Sequence, residues 1–482
     1  MKKIMLLVFL ILIFTTTSCE KNYTIIFKDY DDSIILKTNA TSLDKIEYPD
    51  EPTRDGYQFI RWDYDFIKLN KNVTTKALYI EDETFDFTYK LYGFLPSDNN
   101  YYLINETFKK SDFYRNANFF NSNLAMVSSS SAFINRRESD IKEYLDILGF
   151  DNYEFYGYGL NTKDNVTYCL AHKRIDDFDL IFVSSVGSHY GSEWSNNFLV
   201  GNTGNHLGFN NSSNKIYESL KNYMKNYESP KLWMTGYSRG GGIINLLADK
   251  LLREKFDSTN MFVYTFEAPR GILKKNYKEY NNVYNIYNSE DLIPNLIPED
   301  LKFYRCGIDI DIKNANLEKL LNEFDPSIEA KSFKETNYFK NQKEFINCLL
   351  DVIINKKYEH SITTREKFHE YLEPAITYFL DILAHDVSKS TSTLNNLVDS
   401  SSYAQYLSEE GLYELLANLF DKLNVNYDTN ELKIHSSSLY ILIEERLADI
   451  LKYFINGYQN FGLIADNHCT EAIYVLLKEY FK

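Results

Sequence analysis

The residues best placed to do chemistry are Gly236-Tyr237-Ser238-Arg239-Gly240, a G-x-S-x-G pentapeptide. Before it, Leu232-Trp233-Met234 reads as a short buried strand, β-prone and ending at a glycine. After it, Ile243, Ile244, Leu246, Leu247, Leu251 and Leu252 fall on one broad helical face. Strand, tight turn and helix give the pentapeptide its meaning. The serine must occupy a strained bend, and glycines two residues to either side let strand and helix approach. The Ser238 hydroxyl would then project above a sheet edge, beside a helix N-terminus whose N–H groups can meet an oxyanion.

A serine nucleophile needs a histidine base and a carboxylate to orient it. In a doubly wound hydrolase the chain order is serine, then acid, then histidine. Asp291 fits, because residues 282–287 read as a strand and Asn288-Ser289-Glu290-Asp291-Leu292-Ile293-Pro294 as the loop after it. Glu290 and Glu267 compete for the role. His468, in Ala465-Asp466-Asn467-His468, precedes a final helix expected over about 470–481. Of the eight histidines, His360, His369 and His385 fall in or beside helical patterns, and His172 alternates within a strand. His206 precedes the acid, and His435 is a weaker rival. His189, in the glycine loop 187–191, could touch substrate but lies before Ser238.

Together these residues resemble the class 3 lipase family of α/β-hydrolases. G-Y-S-R-G-G matches that family's elbow, and N-S-E-D-L-I-P matches its aspartate loop, N-x-x-D-x-V-P. T-F-E-A-P-R is similar to the strand end usually written T-F-G-x-P-R, with Glu267 in place of the glycine. V-G-S…E-W resembles the R-G-T/S…D-W oxyanion loop, with Val186 where Arg is common. The resemblance covers about residues 160–300 and the last fifteen. It implies acyl transfer in two steps, with Ser238 as nucleophile, His468 as base and Asp291 holding the imidazole. The backbone N–H of Arg239, with Ser188 through backbone or hydroxyl, would meet the oxyanion. Neither metal nor organic cofactor is called for. The implied substrate is an acylglycerol or related lipid ester; phospholipid, short-chain ester and thioester remain open. So does a non-catalytic adhesin built on a hydrolase scaffold.

Several elements must position these groups. Strands are expected over 165–173, 180–186, 261–266 and 282–287, and helices within 114–148 and over 214–225. Such alternation implies a largely parallel sheet covered on both faces. The hydrolase would span 85–482, with a helical insertion over 301–460. Amphipathic candidates within it lie at 341–355, 364–385, 409–424 and 438–456. An acidic linker, Glu81-Asp82-Glu83, would precede the hydrolase. Residues 23–80 form a separate small unit whose P-x-x-P-T-R-x-G-Y-x-F-x-x-W core resembles the internalin-type B repeat, a β-grasp-like module. The resemblance implies a spacer or a binder of some cell-surface ligand.

The chain has 482 residues and a net charge of −16, which argues against nucleic acid as a partner. Residues 1–18 read as a signal peptide: Lys2-Lys3, an apolar run over 4–14, then small residues. Thr17-Ser18-Cys19 is similar to the end of a bacterial lipobox, with Thr16 where Leu is usual. Residues 19–22 would be an anchor stub, with Cys19 lipidated at the outer face of the membrane. Simple secretion is the alternative. Cys169, Cys306, Cys348 and Cys469 show no metal-binding spacing and read as buried free thiols.

Overall fold

A computed structural model describes residues 21–482 apart from 65, 67, 82–83, 94–100, 161, 163–164, 189–192, 274–276, 298, 329–332, 355–356, 387–407, 423, 447–448, 451–452, 454–455, 461–462 and 464–465. The signal segment, Cys19 and His189 therefore lie outside the described residues. Two units emerge: one is the N-terminal part through Thr84 with Lys109–Arg115, the other Phe85–Phe108 with Asn116–Lys482.

The first unit is a mixed four-stranded sheet, from β1 (Tyr23–Lys28), β2 (Ile34–Ala40), β3 (Tyr57–Trp62) and β4 (Val73–Glu81), in the order β2-β1-β4-β3. β1 runs parallel to β4, while β2 and β3 are antiparallel to their neighbours. Ile25 and Phe27 alternate into a core with Ala40 and Val73, and Trp62 meets Phe27 edge-on at 4.8 Å.

The second unit begins with a hairpin for which the sequence reading has no counterpart, β5 (Thr84–Tyr92) and β6 (Tyr101–Lys109). Its period is two: Phe87, Tyr89, Leu91, Ile104, Glu106 and Phe108 are buried and their neighbours are not. Helices α1 (Ser122–Ile134) and α2 (Glu138–Ile147) follow. The main sheet uses β7 (Asp151–Tyr156), β8 (Tyr168–Ile175), β9 (Phe178–Ser185), β10 (Pro230–Tyr237) and β11 (Met261–Phe266). A short pair, β12 (Ile272–Leu273) with β14 (Phe303–Tyr304), flanks β13 (Val283–Tyr287), and β15 (Ile308–Asp311) is last. Sheet order is β15-β13-β11-β10-β9-β8-β7.

Within the main sheet every pairing from β9 to β15 is parallel; the separate β12–β14 pair is antiparallel. The two strands before β9 break the expected parallel run. β8 and β9 are joined by only Asp176-Asp177, too short for a crossover, so they pair antiparallel, as do β7 and β8. Side chains of β10 show how both faces are covered. Leu232 and Met234 enter the core with Ile216 and Leu220 of α4 (Leu207–Met224) and Ile243 and Leu247 of α5 (Arg239–Arg253). Trp233 and Thr235 turn the other way and hydrogen-bond Ser128 of α1 at 2.7 and 3.0 Å.

The insertion expected over 301–460 does not begin as helix: its first residues form β14 and β15, and β15 belongs to the main sheet, paired in parallel with β13. Beyond Asp311 it is helical. It holds α6 (Leu317–Phe324), α7 (Gln342–Ile354), α8 (Arg365–Lys367), a π turn over Phe368–Leu372, α9 (Glu373–Asp386), α10 (Glu409–Lys422) and α11 (Thr429–Glu444). The helix expected at 438–456 instead starts at Thr429, where Asp428 caps it through the N–H groups of Asn430 and Glu431. Its internal serines do not break it, because Ser436 and Ser438 return their hydroxyls to the carbonyls of Leu432 and Ile434. A final helix, α12 (Thr470–Tyr480), closes the chain. Among the described residues no helix is long and apolar enough to cross a membrane. Cys169 and Cys306 are buried as expected, but Cys348 and Cys469 are only partly so, and none of the four is in a disulfide.

Candidate active site

β10 ends at Tyr237 and α5 begins at Arg239, so Ser238 alone makes the turn. Its φ is +56°, the left-handed region that costs an L-residue strain. The close approach needs glycine on both sides. A Cβ on Gly236 would sit 2.5 Å from the Gly240 carbonyl oxygen, and one on Gly240 only 2.1 Å from that of Ser185. The Ser238 N–H donates to the Phe266 carbonyl at 2.8 Å, tying the elbow to β11.

Ser238 Oγ lies 3.0 Å from His468 Nε2, and His468 Nδ1 is hydrogen-bonded to Asp291 Oδ2. All three sequence-predicted residues thus meet. Asp291 is fully buried, and its Oδ1 accepts the Ile293 N–H at 2.9 Å. A proton on Nδ1, facing the carboxylate, leaves Nε2 to accept from the serine. Tyr237, which the sequence reading passed over, stacks on the imidazole at 4.9 Å and donates its hydroxyl to the His468 carbonyl. Asn288 and Asn467 were passed over too. Asn288 Nδ2 donates to Asn467 Oδ1 at 2.8 Å and ties the acid loop to the base loop.

The competing groups take other posts. Glu290 is half-buried in the acid loop, where burial raises its carboxyl pKa, and it is Asp291 that meets His468 Nδ1. Glu267 is buried beside Asp291, on the side away from His468 in the hydrogen-bond chain. His206 caps α4: its Nδ1 accepts from Phe209 N–H at 3.3 Å, and its Nε2 donates to the Asn197 carbonyl at 3.1 Å. Burial pushes its pKa down to about 3, so it is neutral. His172 bridges Asp151 and Asp179, His369 meets Glu373, and His435 stacks on Tyr378.

Above the elbow, the loop after β9 brings Gly187 over Ser238, where a Cβ would lie 3.5 Å from the serine Cβ. Ser188 Oγ accepts from Asn197 Nδ2 at 2.8 Å, which leaves the hydroxyl proton to point elsewhere. Arg239 opens α5, so its backbone N–H has no intrahelical acceptor. Its side chain is buried opposite Glu193 at 3.5 Å and donates to the Asn165 carbonyl and Ser212 Oγ, both at 3.2 Å. Burial lowers the guanidinium pKa and Glu193 opposes that. The arginine therefore fastens the loop carrying Ser188 to the helix carrying its own N–H. Beside Ser238 opens an apolar cleft lined by Trp194 of α3 (Trp194–Phe198), Phe209, Pro269, Ile293, Leu296 and Ile297.

Residues 182–301 match the family model for class 3 lipases. This chain is a lipase-type serine ester hydrolase. Among solved structures, this lipase-type chain is similar to the Rhizomucor miehei triacylglyceride lipase, at 22% identity over 40% of this chain and 79% of that one, TM-score 0.30. It is also similar to the lipase from Rhizopus microsporus var. chinensis, at 18% over 39% and 72%, TM-score 0.30. Lipase II from Rhizopus niveus gives 13% over 40% and 80%, TM-score 0.31. No curated protein matches the chain. The matched segment holds Ser238 and Asp291, whereas His468 lies beyond it, on the far side of the helical insertion.

Proposed function

We propose that this lipase-type hydrolase is anchored at the cell surface and cleaves lipid carboxylic esters through Ser238, Asp291 and His468. The observation that carries the reading is the 3.0 Å contact between Ser238 Oγ and His468 Nε2, backed by Asp291 on the other ring nitrogen. Ser238 Oγ attacks the ester carbonyl while its proton passes to His468, and Asp291 stabilises the imidazolium. The tetrahedral oxyanion is met by the N–H of Arg239 and by Ser188, each such donor lowering the barrier by about 2.7–4 kcal/mol. His468 then gives its proton to the leaving alcohol, and the acyl group stays on Ser238. Water, deprotonated by His468, releases the carboxylic acid and restores the serine. Ile293, Leu296, Ile297 and Trp194 make the walls beside Ser238 apolar, as an acyl chain requires, but the cleft between them holds only about 10 Å³ and has to widen to admit one. Lipidation of Cys19 would hold the enzyme at the outer face of the membrane, with the B-repeat-like residues 23–80 as spacer.

One experiment tests both parts. Membrane and soluble fractions of cells expressing the full chain are labelled with a fluorophosphonate, then assayed with p-nitrophenyl esters of graded length. Wild type should label in the membrane fraction and favour long chains. Ser238→Ala should lose label and turnover; Cys19→Ala should keep both but move to the soluble fraction. Label persisting in Ser238→Ala sinks the triad, and Cys19→Ala remaining in the membrane sinks the anchor.

A further inference from the structure

The acid-bearing side of the triad holds a second carboxyl. Glu267 follows β11 directly, with a side chain fully buried and a φ of +47°, a backbone conformation in which glycine would be unstrained. Its Oε1 accepts the Asn288 N–H at 2.9 Å. Its Oε2 is buried with no donor in reach. The carboxyl does lie within hydrogen-bond reach of Asp291, another acceptor.

Two ionised carboxylates in contact inside a dry site repel strongly, so such a pair holds one proton. The surroundings decide where it sits. Asp291 already has a donor on each oxygen, His468 Nδ1 on Oδ2 and the Ile293 N–H on Oδ1. Glu267 accepts one backbone N–H only. Arg305, a cation that acts on Glu267, is taken up by Asp309 at 2.6 and 3.1 Å and by the carbonyls of Ala268 and Pro294. Tyr237 faces both acids but donates its hydroxyl to the His468 carbonyl. Burial first, and Asp291 second, push the Glu267 carboxyl well above the usual carboxylate range.

We propose that Glu267 is a positioning residue for the triad, a neutral acid whose Oε2–H donates to the Asp291 carboxylate and fixes the rotamer that holds His468. One proton then satisfies the orphaned Oε2 and removes the charge repulsion. The same side chain, through Asn288, is linked to Asn467 next to the base, so a single buried acid braces both loops. The proposal rests on the triad reading above.

The test compares Glu267→Gln, Glu267→Gly and Ser238→Ala in ester hydrolysis across pH. Glutamine copies a protonated glutamate: its oxygen can accept from Asn288 and its amide can donate to Asp291. Glu267→Gln should keep kcat within about two-fold and leave the acid limb of kcat/KM unmoved, since no charge is lost. Glu267→Gly sheds the positive-φ strain but orphans the Asn288 N–H, so its kcat is read per folded molecule, with the thermal midpoint measured beside it. That kcat should fall roughly five-fold at unchanged KM, the scale of one net hydrogen bond. Wild-type kcat in Glu267→Gly overturns the proposal. So does an acid limb moved to lower pH in Glu267→Gln, because that would reveal a lost negative charge beside His468. Turnover surviving in Ser238→Ala would instead overturn the triad reading itself.

Discussion

Ser238 is held out on its turn by what its neighbours lack. Strand β10, helix α5 and the loop after β9 converge so closely that two Cβ atoms are missing by necessity, and that closeness also sets Gly187 above the serine. Gly240→Ala is the sharpest probe, since the added carbon would meet the Ser185 carbonyl at 2.1 Å and a backbone atom in a central strand has nowhere to go. The variant should lose about 1–3 kcal/mol or more of stability in urea unfolding, and its remaining folded fraction should turn over slowly because residues 186–188 are displaced. Wild-type stability would mean that the approach is looser than described. Ser238, Asp291 and His468 were legible in the sequence because each sits in a local pattern and the chain order is constrained. Tyr237, Asn288 and Asn467 were not, because their roles exist only once residues 179 positions apart hydrogen-bond. Glu267 was legible as an oddity in its motif, but its meaning needed the burial of both acids.

Among the elements, the helical insertion has a fixed attachment beside the apolar cleft at Ser238. Arg365, at the start of α8, donates to the carbonyls of Val200, Gly201, Thr203 and Gly204 at 2.7, 2.7, 2.9 and 2.5 Å. Glu373, at the start of α9, accepts the Gly201 N–H at 2.8 Å. These residues staple the loop between α3, which carries Trp194 and Asn197 of the cleft wall, and α4, which His206 caps. Nothing in the sequence marks Arg365 as special, because an arginine opening a helix is ordinarily solvated, and the loop carbonyls it serves carry no side-chain signature. Arg365→Met keeps the stem and removes the donors. Five carbonyls then lose this donor, that of Asn205 included, while Val200's keeps the Leu207 N–H at 3.2 Å; such a broken network costs about 2–4 kcal/mol and lowers the thermal midpoint. With α3 loosened, KM for long-chain esters should rise more than KM for short ones, at nearly constant kcat. Equal KM changes at all chain lengths would separate the staple from acyl-chain binding.

At the scale of the whole molecule, stability against pH is shaped by an acid far from the catalytic elbow in sequence. Glu106 of β6 is buried, accepting from Ser130 Oγ of α1 at 2.5 Å and from the Tyr89 hydroxyl of β5 at 3.2 Å. Burial outweighs both hydrogen bonds and pushes its pKa up to about 8 from 4.5. Between those values the folded chain keeps a proton that the unfolded chain releases. Stability from this group is therefore complete below pH 4.5 and declines as pH rises toward about 8, at roughly 1.4 kcal/mol per pH unit. The net charge of −16 adds self-repulsion in the same direction, so the raw slope of the wild type cannot be assigned to one residue. The difference from Glu106→Gln can, because that variant keeps the shape and the acceptor oxygen while removing the titration. Urea midpoints, read through residual ester hydrolysis assayed at a single pH so that only the second unit is followed, should diverge with increasing pH. The two proteins should be closest near pH 4.5, and the variant should lead by a widening margin up to about 8, beyond which the gap stays constant. Parallel curves over that range would mean that Glu106 is ionised in the folded chain, and that the β5–β6 hairpin is wetter than its alternating burial indicates.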